Sequence, residues 1–137
     1  MKIVKKRFSD WDNNTKRKLK YATLPYGALR HFIRAFPDSP TIVLFDEERI
    51  MGWAFALPHG DEVSLSIFVH SRYRKKGVAK RLVVEALEDF LTIILFGWDL
   101  VSRNFSQKMQ VLYPQRVIIK DWWKCHQQYV DMAEVAL

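Results

Sequence analysis

The chain has 137 residues, 49% of them hydrophobic and 27% charged, a balance typical of one globular domain with a buried core. Its 22 Lys and Arg residues outnumber 15 Asp and Glu residues, and the net charge of +7 predicts a negatively charged ligand or partner. A single cysteine, Cys125, excludes an internal disulfide. With no signal-peptide pattern and no apolar run near the ~20 residues that span a bilayer, we expect a cytoplasmic protein without a membrane segment.

The N-terminus predicts a weak strand followed by a helix. Residues Met1 to Phe8 contain the apolar pair Ile3–Val4, which favours a short strand. Ser9 followed by Asp12 resembles a capping box. We therefore expect a helix that starts near Asp10 and weakens at Leu24–Pro25.

A second helix is expected over Tyr26–Phe36, where Pro37 to Pro40 would end it. The first helix has a strongly basic face. Such a face is usually solvated, and it also attracts acidic partners. Its cations are Lys16, Arg17, Lys18 and Lys20.

Three strands joined by tight turns are predicted next. Their apolar residues cover Thr41–Phe45, Ile50–Leu57 and Glu62–Val69. The turns between them contain Asp46 to Arg49 and Pro58 to Asp61, with residue types that favour chain reversal. This part of the sequence predicts an antiparallel meander.

The third strand leads through a basic turn into an amphipathic helix. Apolar residues recur every fourth position from Val78 to Phe90, which gives one broad apolar helix face. Lys75, Lys76 and the cations of the first helical turn lie where the helix dipole disfavours them by about 0.3–1 kcal/mol each. A bound phosphate would reverse that cost, and Gly77 would let the backbone approach it closely. The alternative is a solvated basic turn before an ordinary helix.

The last third of the chain leaves several alternatives open. An apolar run within Ile93–Val101 favours a buried parallel strand, although a continued helix has the same pattern. Ser102 predicts an N-cap for a helix over Asn104–Tyr113, which Pro114 would end. Val117–Ile119 and part of Asp121–Tyr129 are candidates for the last strands, and the tail from Val130 is equally consistent with a helix. Together these elements predict an α+β fold with a mixed, mostly antiparallel central sheet flanked by helices.

The segment Val69–Ala79 resembles the acyl-CoA-binding motif of the GNAT family of N-acetyltransferases. In that family a strand ends in Val, and an aromatic residue precedes Arg/Gln-x-x-Gly-x-Gly/Ala at the start of a helix. Here Arg74-Lys75-Lys76-Gly77-Val78-Ala79 fills the six positions after Tyr73, while Ser71 stands where Pro is common. The resemblance implies a three-layer GNAT-like domain over residues 1–137. It also implies that an acetyl group passes from acetyl-CoA to an amine by direct attack in a ternary complex.

The resemblance further implies which residues bind the cofactor. Backbone N–H groups of the basic turn would hold the pyrophosphate. The main chain at the end of the preceding strand would hold the pantetheine arm and donate to the carbonyl oxygen of the thioester. The implied cofactor-binding residues are Phe68, Val69, His70, Arg74, Lys75, Lys76, Gly77, Val78, Ala79 and Asn104.

Two residues are the candidates for moving protons. The family often uses a Tyr in the helix after the fifth strand as general acid, and Tyr113 is the corresponding candidate. The Asn that usually precedes it by seven residues is displaced, because Asn104 lies nine residues before Tyr113. Glu62, at the start of the central strand, is the candidate general base, with His70 second. The alternatives are a helix-end aromatic for Tyr113 and a solvated hairpin carboxylate for Glu62.

Other chemistry-bearing residues give weaker signals. Cys125 and His126 are adjacent, so in a strand they would face opposite sides and would not form a nucleophilic pair. No metal-ligand spacing is found among the His and Cys residues. Either Trp122 or Trp123 is a candidate to wall an acceptor pocket.

Two further functions remain open from the sequence. One is a basic module that binds nucleic acid or an acidic partner without catalysis; it would use SRYRKKGVAKR, where cations flank a tyrosine able to stack on a base. The other is a GNAT-fold protein that has lost turnover. The acceptor, as a protein amine or a small amine, is not specified by the sequence, and neither is the choice between monomer and homodimer.

Overall fold

The computed structural model describes residues 1–22, 27–97 and 99–137. Within these residues the chain forms six strands and five α-helices. In chain order they are β1 (Lys2–Arg7), α1 (Asn13–Ala22), α2 (Gly27–Ala35), β2 (Pro40–Asp46), β3 (Arg49–His59), β4 (Glu62–Val69), α3 (Val78–Asp89), β5 (Ile93–Gly97), α4 (Leu100–Leu112), β6 (Val117–Asp121) and α5 (Trp122–Ala136).

The six strands form one mixed sheet in the order β1-β2-β3-β4-β5-β6. Strands β1 to β4 pair antiparallel, with Val43 opposite Trp53 and Trp53 opposite Phe68. Strands β4, β5 and β6 are parallel. The predicted meander of β2, β3 and β4 is confirmed, and the α+β fold with a mostly antiparallel sheet is the one observed.

Helices cover both faces of this sheet. On the face that we call the first face, α1, α2 and α5 pack over the aromatic side chains of Trp53, Phe55 and Phe96. On the second face, α3 and α4 pack over Leu44, Ile93 and other aliphatic residues. Among the described residues, no helix has the length and apolar character needed to cross a membrane.

The start of α1 differs from the prediction. The helix begins at Asn13, and Asp12 accepts the N–H of Thr15 at 2.6 Å, whereas Ser9 donates to Asp38. Tertiary contacts explain the difference, because Phe8 and Trp11 are buried and the preceding turn is therefore held against the core. The expected helix end at Leu24–Pro25 and the Tyr26 that would open the second helix lie outside the described residues.

Two predictions in the last third were wrong. Helix α4 begins at Leu100 rather than near Asn104, because Asp99 is the N-cap and Ser102 completes a capping box as the third helical residue. Residues after Asp121 form helix α5 and not a strand. The Asp121 carboxylate accepts the N–H groups of Trp123 and Lys124, which satisfies the first turn of the helix.

Candidate functional site

The basic turn, residues 71–77, leaves the end of β4 and enters α3. The Nδ1 atom of His70 accepts the N–H of Arg72 at 3.3 Å, and a short 3₁₀ turn covers Ser71–Tyr73. Lys75 and Gly77 both have positive φ angles, +61° and +79°. A non-glycine residue with positive φ carries strain, and such strain is often found at functional sites.

Gly77 precedes the first residue of α3 and leaves the start of this helix without a cap. It has no side chain to accept a hydrogen bond, and no side-chain cap bond is made there. A Cβ atom added at Gly77 would meet no atom within 4 Å. The first N–H groups of α3 therefore adjoin open space, the arrangement that binds anions at helix N-termini.

Two contacts fix the basic turn to the sheet. The buried Tyr73 donates its hydroxyl hydrogen to the Asp46 carboxylate at 3.0 Å. Gly52 in β3 lies so close to the start of α3 that an added Cβ would be 2.8 Å from Val78 Cγ1 and 2.7 Å from the Phe68 carbonyl oxygen. The sequence prediction missed Gly52, although a glycine inside a strand pattern is a signal of close backbone approach.

The turn and the start of α3 concentrate unpaired positive charge. In the described part of the chain, five exposed cations make no ion pair there, whereas Arg81 pairs with Glu85 at 3.0 Å. Lys76 lies over the ring of Tyr73, 5.8 Å from its centroid. The five cations are Arg72, Arg74, Lys75, Lys76 and Lys80.

A cleft opens between β4 and β5 beside this turn. The two strands share one register pair, Ser64 with Ile94, and no other pair joins them in the described residues. Strand β4 continues to Val69 and remains paired with β3 along its other edge. From Leu65 onward, no register pair joins β4 to β5 in the described residues. The cleft is closed at Ser64 and open at the turn.

Glu62 lies at the closed end of the cleft, on the first face. Its carboxylate accepts a hydrogen bond from Lys120 Nζ of β6 at 2.9 Å. This hydrogen bond raises the pKa of Lys120 against the opposing effect of desolvation. Burial raises the pKa of two neighbours on α5, Tyr129 and Cys125. The carboxylate is thus held by a cation that the sequence did not indicate, because 58 residues separate the two.

Tyr113 lies near the same closed end, on the second face. Its carbonyl oxygen accepts the N–H of Val117. Val117 is paired with Ile93, and the next residue of β5, Ile94, is the one that pairs with β4. The side chain is half-buried against the second-face core. It lines a small surface cavity together with Leu87, Glu88, Val84 and Arg116 at the end of α3.

Asn104 lies in the second turn of α4. Tyr113, nine residues later, is the C-cap of the same helix. Asn104 is exposed and lines an open surface on the outer side of α4, which it shares with Gln107, Lys108, Val111 and Leu112. The role of Asn104 in binding the cofactor stays a prediction.

The remaining candidates are spread over α5 and the end of β4. His70 is exposed at the open end of the cleft, about one strand length from Glu62.

Cys125 and His126 lie on helix α5 and not on a strand; the thiol contacts the Asp121 carbonyl oxygen. Trp122 is 4% exposed and belongs to the core, whereas Trp123 is 63% exposed. In the part of the chain that is described, no cluster of His, Cys, Asp and Glu has the geometry of a metal site.

These features define a class of protein: an α+β domain whose parallel strands part beside a cationic, uncapped helix start. The chain belongs to the GNAT acetyltransferase family, because residues 6–97, about two-thirds of its length, match the family model. The match includes the basic turn and all of β4 and ends at Gly97, so Tyr113 and Asn104 lie beyond it. No individual curated protein matches the chain. Family membership supports acyl-CoA-dependent N-acetyltransfer as the general activity.

Proposed function

We propose that this chain is an acetyl-CoA-dependent N-acetyltransferase, formed as one domain by residues 1–137. In this proposal the acetyl group passes directly to an amine in a ternary complex. The observation that carries the proposal is the cleft between β4 and β5, which opens beside the cationic, uncapped start of α3.

The residues fit an elongated, phosphate-bearing cofactor. The open end of the cleft offers free helix N–H groups at Gly77 and five unpaired cations, which suit a pyrophosphate. The edge of β4 that faces the cleft suits the amide groups of an extended arm. From Ser64 to Val69 the strand rises about 17 Å, at ~3.3 Å per residue. A ligand that touches both ends must therefore be long and narrow.

The closed end of the cleft would carry the chemistry. Bound acetyl-CoA supplies an acetyl group activated as a thioester. In the proposed reaction the amine nitrogen bonds to the carbonyl carbon, and the bond from carbon to sulfur breaks. Glu62, directly or through water, accepts the proton that the amine loses. A backbone N–H of β4 that faces the cleft donates to the carbonyl oxygen as it becomes negative. Tyr113 donates a proton to the leaving thiolate.

Binding of acetyl-CoA provides the first test. At a ligand concentration of about 100 times Kd, the folded protein should gain about 2.7 kcal/mol of stability, measured as a rise in Tm. Release of free thiol with a panel of amines then tests turnover. A folded sample whose Tm does not change in millimolar acetyl-CoA would contradict the cofactor assignment.

A GNAT-fold protein that binds acetyl-CoA without turnover is the second candidate. It is supported by the spacing of Asn104, which lies nine rather than seven residues before Tyr113. The same two measurements distinguish the candidates, because this one predicts a rise in Tm with no thiol release for any amine. A basic binding module without catalysis predicts neither a rise in Tm nor thiol release.

A further inference from the structure

The positive charge of the chain is concentrated in two stretches. Residues 13–35 contain six Lys and Arg residues and no Asp or Glu, and residues 71–81 show the same counts. Elsewhere the 15 acidic residues exceed the ten remaining basic ones. The proposed cofactor site accounts for the stretch at 71–81. It leaves the first stretch, which forms α1 and α2, without a role.

Helices α1 and α2 present this charge to solvent. The α1–α2 basic surface consists of Lys16, Arg17, Lys18, Lys20, Arg30 and Arg34. Apart from Lys20, which lies over the ring of Phe8, they make no ion pair with the described residues. Tyr21, 74% exposed, lies one helical turn from Arg17. Like charges on two adjacent helices repel one another, and a negatively charged partner would relieve that repulsion.

The α1–α2 basic surface lies on the face of the sheet that an acceptor would approach. Helices α3 and α4 pack on the second face and meet at the cavity lined by Leu87 and Tyr113. Glu62 belongs to the first face, since its partner Lys120 lies in the electrostatic environment of Tyr129 on α5. An amine that reaches Glu62 therefore comes from the side that carries α1 and α2.

We propose that the acceptor is an acidic polypeptide, in which carboxylates flanking the acceptor amine dock on the α1–α2 basic surface. This inference rests on the proposed function. An amine is itself cationic near neutral pH, so a polycationic small amine would be repelled by this surface. Flanking carboxylates reverse the sign of that interaction. Three of the cations, Arg17, Arg30 and Arg34, have the planar fork that pairs with carboxylates in a bidentate manner.

Nucleic acid is the other polyanion to consider, and it fits the chemistry of the site less well. The exocyclic amines of bases are poor nucleophiles because their lone pairs are delocalised into the ring. In a duplex they must also be flipped out before a side chain can reach them. Lysine and N-terminal amines of a polypeptide have neither restriction.

The test uses three peptides of equal length, each with a blocked N-terminus and one lysine. The lysine is flanked by Glu in the first peptide, by Gln in the second and by Arg in the third. We expect kcat/KM to fall in that order, by about tenfold or more between the first and the third, and the difference to shrink as salt is added. Equal values for the Glu and Gln peptides would overturn the inference.

A binding measurement separates this inference from the proposed function. Its probe is a fluorescent version of the Glu peptide with norleucine in place of lysine, read by anisotropy without any reaction. The double variant Arg17→Glu/Arg30→Glu should weaken its binding by about tenfold or more. The control variant Lys2→Glu/Lys108→Glu makes the same charge change on β1 and on the outer side of α4, and it should bind as the wild type does.

The outcomes are distinguishable. If the acidic probe binds and the double variant alone loses that binding while no peptide is acetylated, docking of an acidic polypeptide on this surface stands, whereas the proposed function and the role of that polypeptide as acceptor fail. If peptides are acetylated without charge preference, the function stands and the inference fails. If a single-stranded oligonucleotide binds in a manner sensitive to the double variant and the acidic probe does not bind, the surface is a nucleic-acid site and the inference is overturned.

Discussion

At the scale of the residue, Gly77 and Gly52 both shape the start of α3, for opposite reasons. Gly52 is needed because the Val78 side chain and the Phe68 carbonyl leave no room for a Cβ atom. Gly77 is needed for its φ of +79° and because the space before it is open. The first glycine sets the position of the helix, and the second keeps its N-terminus accessible.

Gly77→Val should abolish acetyl-CoA binding, because a branched side chain would occupy the space in which the pyrophosphate approaches the backbone. Arg74→Ala should weaken binding by only about 1.5–3 kcal/mol, the range for a hydrogen bond to a charged group. Calorimetric titration measures both. A surface that is merely basic predicts the reverse order.

Gly60→Val is the matched control for Gly77→Val. Gly60 has φ +63° and equally open surroundings, but it lies in the β3–β4 hairpin turn at the other end of the sheet. The Gly60→Val variant should have the same backbone strain and the same loss of Tm as Gly77→Val. It should nevertheless bind acetyl-CoA normally. Equal binding by folded Gly77→Val and Gly60→Val variants would refute the phosphate site.

Tyr113→Phe tests the proposed general acid. The change removes only the hydroxyl group, so the half-buried ring should keep its packing. We expect kcat to fall by ~10²–10⁴ while the Kd for acetyl-CoA stays the same. Tyr21→Phe, on the exposed face of α1, is the control with the same chemical change. Normal turnover of Tyr113→Phe would leave Tyr113 a structural residue.

At the scale of the element, the capping box of α4 makes a testable contribution to stability. Asp99 accepts the N–H of Ser102 at 2.8 Å, and the Ser102 hydroxyl accepts the N–H of Asp99 at 3.1 Å. Asp99→Ala should lower stability by about 1 kcal/mol at neutral pH. Thermal unfolding measures it, and Asp99→Asn is the control because an amide oxygen still caps the helix.

The loss of stability caused by Asp99→Ala should depend on pH. The hydrogen bond from the Ser102 backbone lowers the pKa of Asp99 in the folded protein. The charged cap therefore stabilises the fold above the unfolded pKa of about 3.9, and this contribution is lost as the pH falls through the lower folded value. The difference in Tm between the wild type and Asp99→Ala should shrink in that acidic range. A difference that is constant from neutral pH to pH 2 would contradict the role of the charge.

At the scale of the whole molecule, α5 is part of the first-face core. The rings of Trp122 and Tyr129 contact Phe32 of α2 and Phe96 of β5 at centroid distances of 5.2–6.4 Å. Trp122→Ala should therefore lower the free energy of unfolding by about 3–5 kcal/mol. Unfolding should remain one cooperative transition, with the same midpoint by far-UV circular dichroism and by tryptophan fluorescence. The exposed Trp123→Ala is the control and should have little effect. Separate melting of α5 would contradict a single domain over residues 1–137.

The sequence by itself determined the elements whose signals are local. The alternation of Val63, Leu65 and Ile67, the apolar period of α3 and the residue types of the basic turn all act between near neighbours along the chain. These signals were sufficient to predict the meander, helix α3 and the family. The helical spacing of Trp122, Tyr129 and Ala133 was also present after Asp121, but the β-propensity of the aromatic residues favoured the wrong prediction of a strand.

Only the tertiary structure decided how distant residues meet. The parting of β4 and β5 after Ser64, the pairing of Glu62 with Lys120 and the outward position of Asn104 depend on how strands and helices pack across the sheet. The location of Glu62 and the α1–α2 basic surface on the same face of the sheet also depends on this packing. Such contacts join residues far apart in the chain, and their geometry is set by the joint packing of the two cores rather than by any local pattern. For that reason the basic turn and the start of α3 were predictable from the sequence, whereas the contacts of Glu62 and the parting of the strands were not.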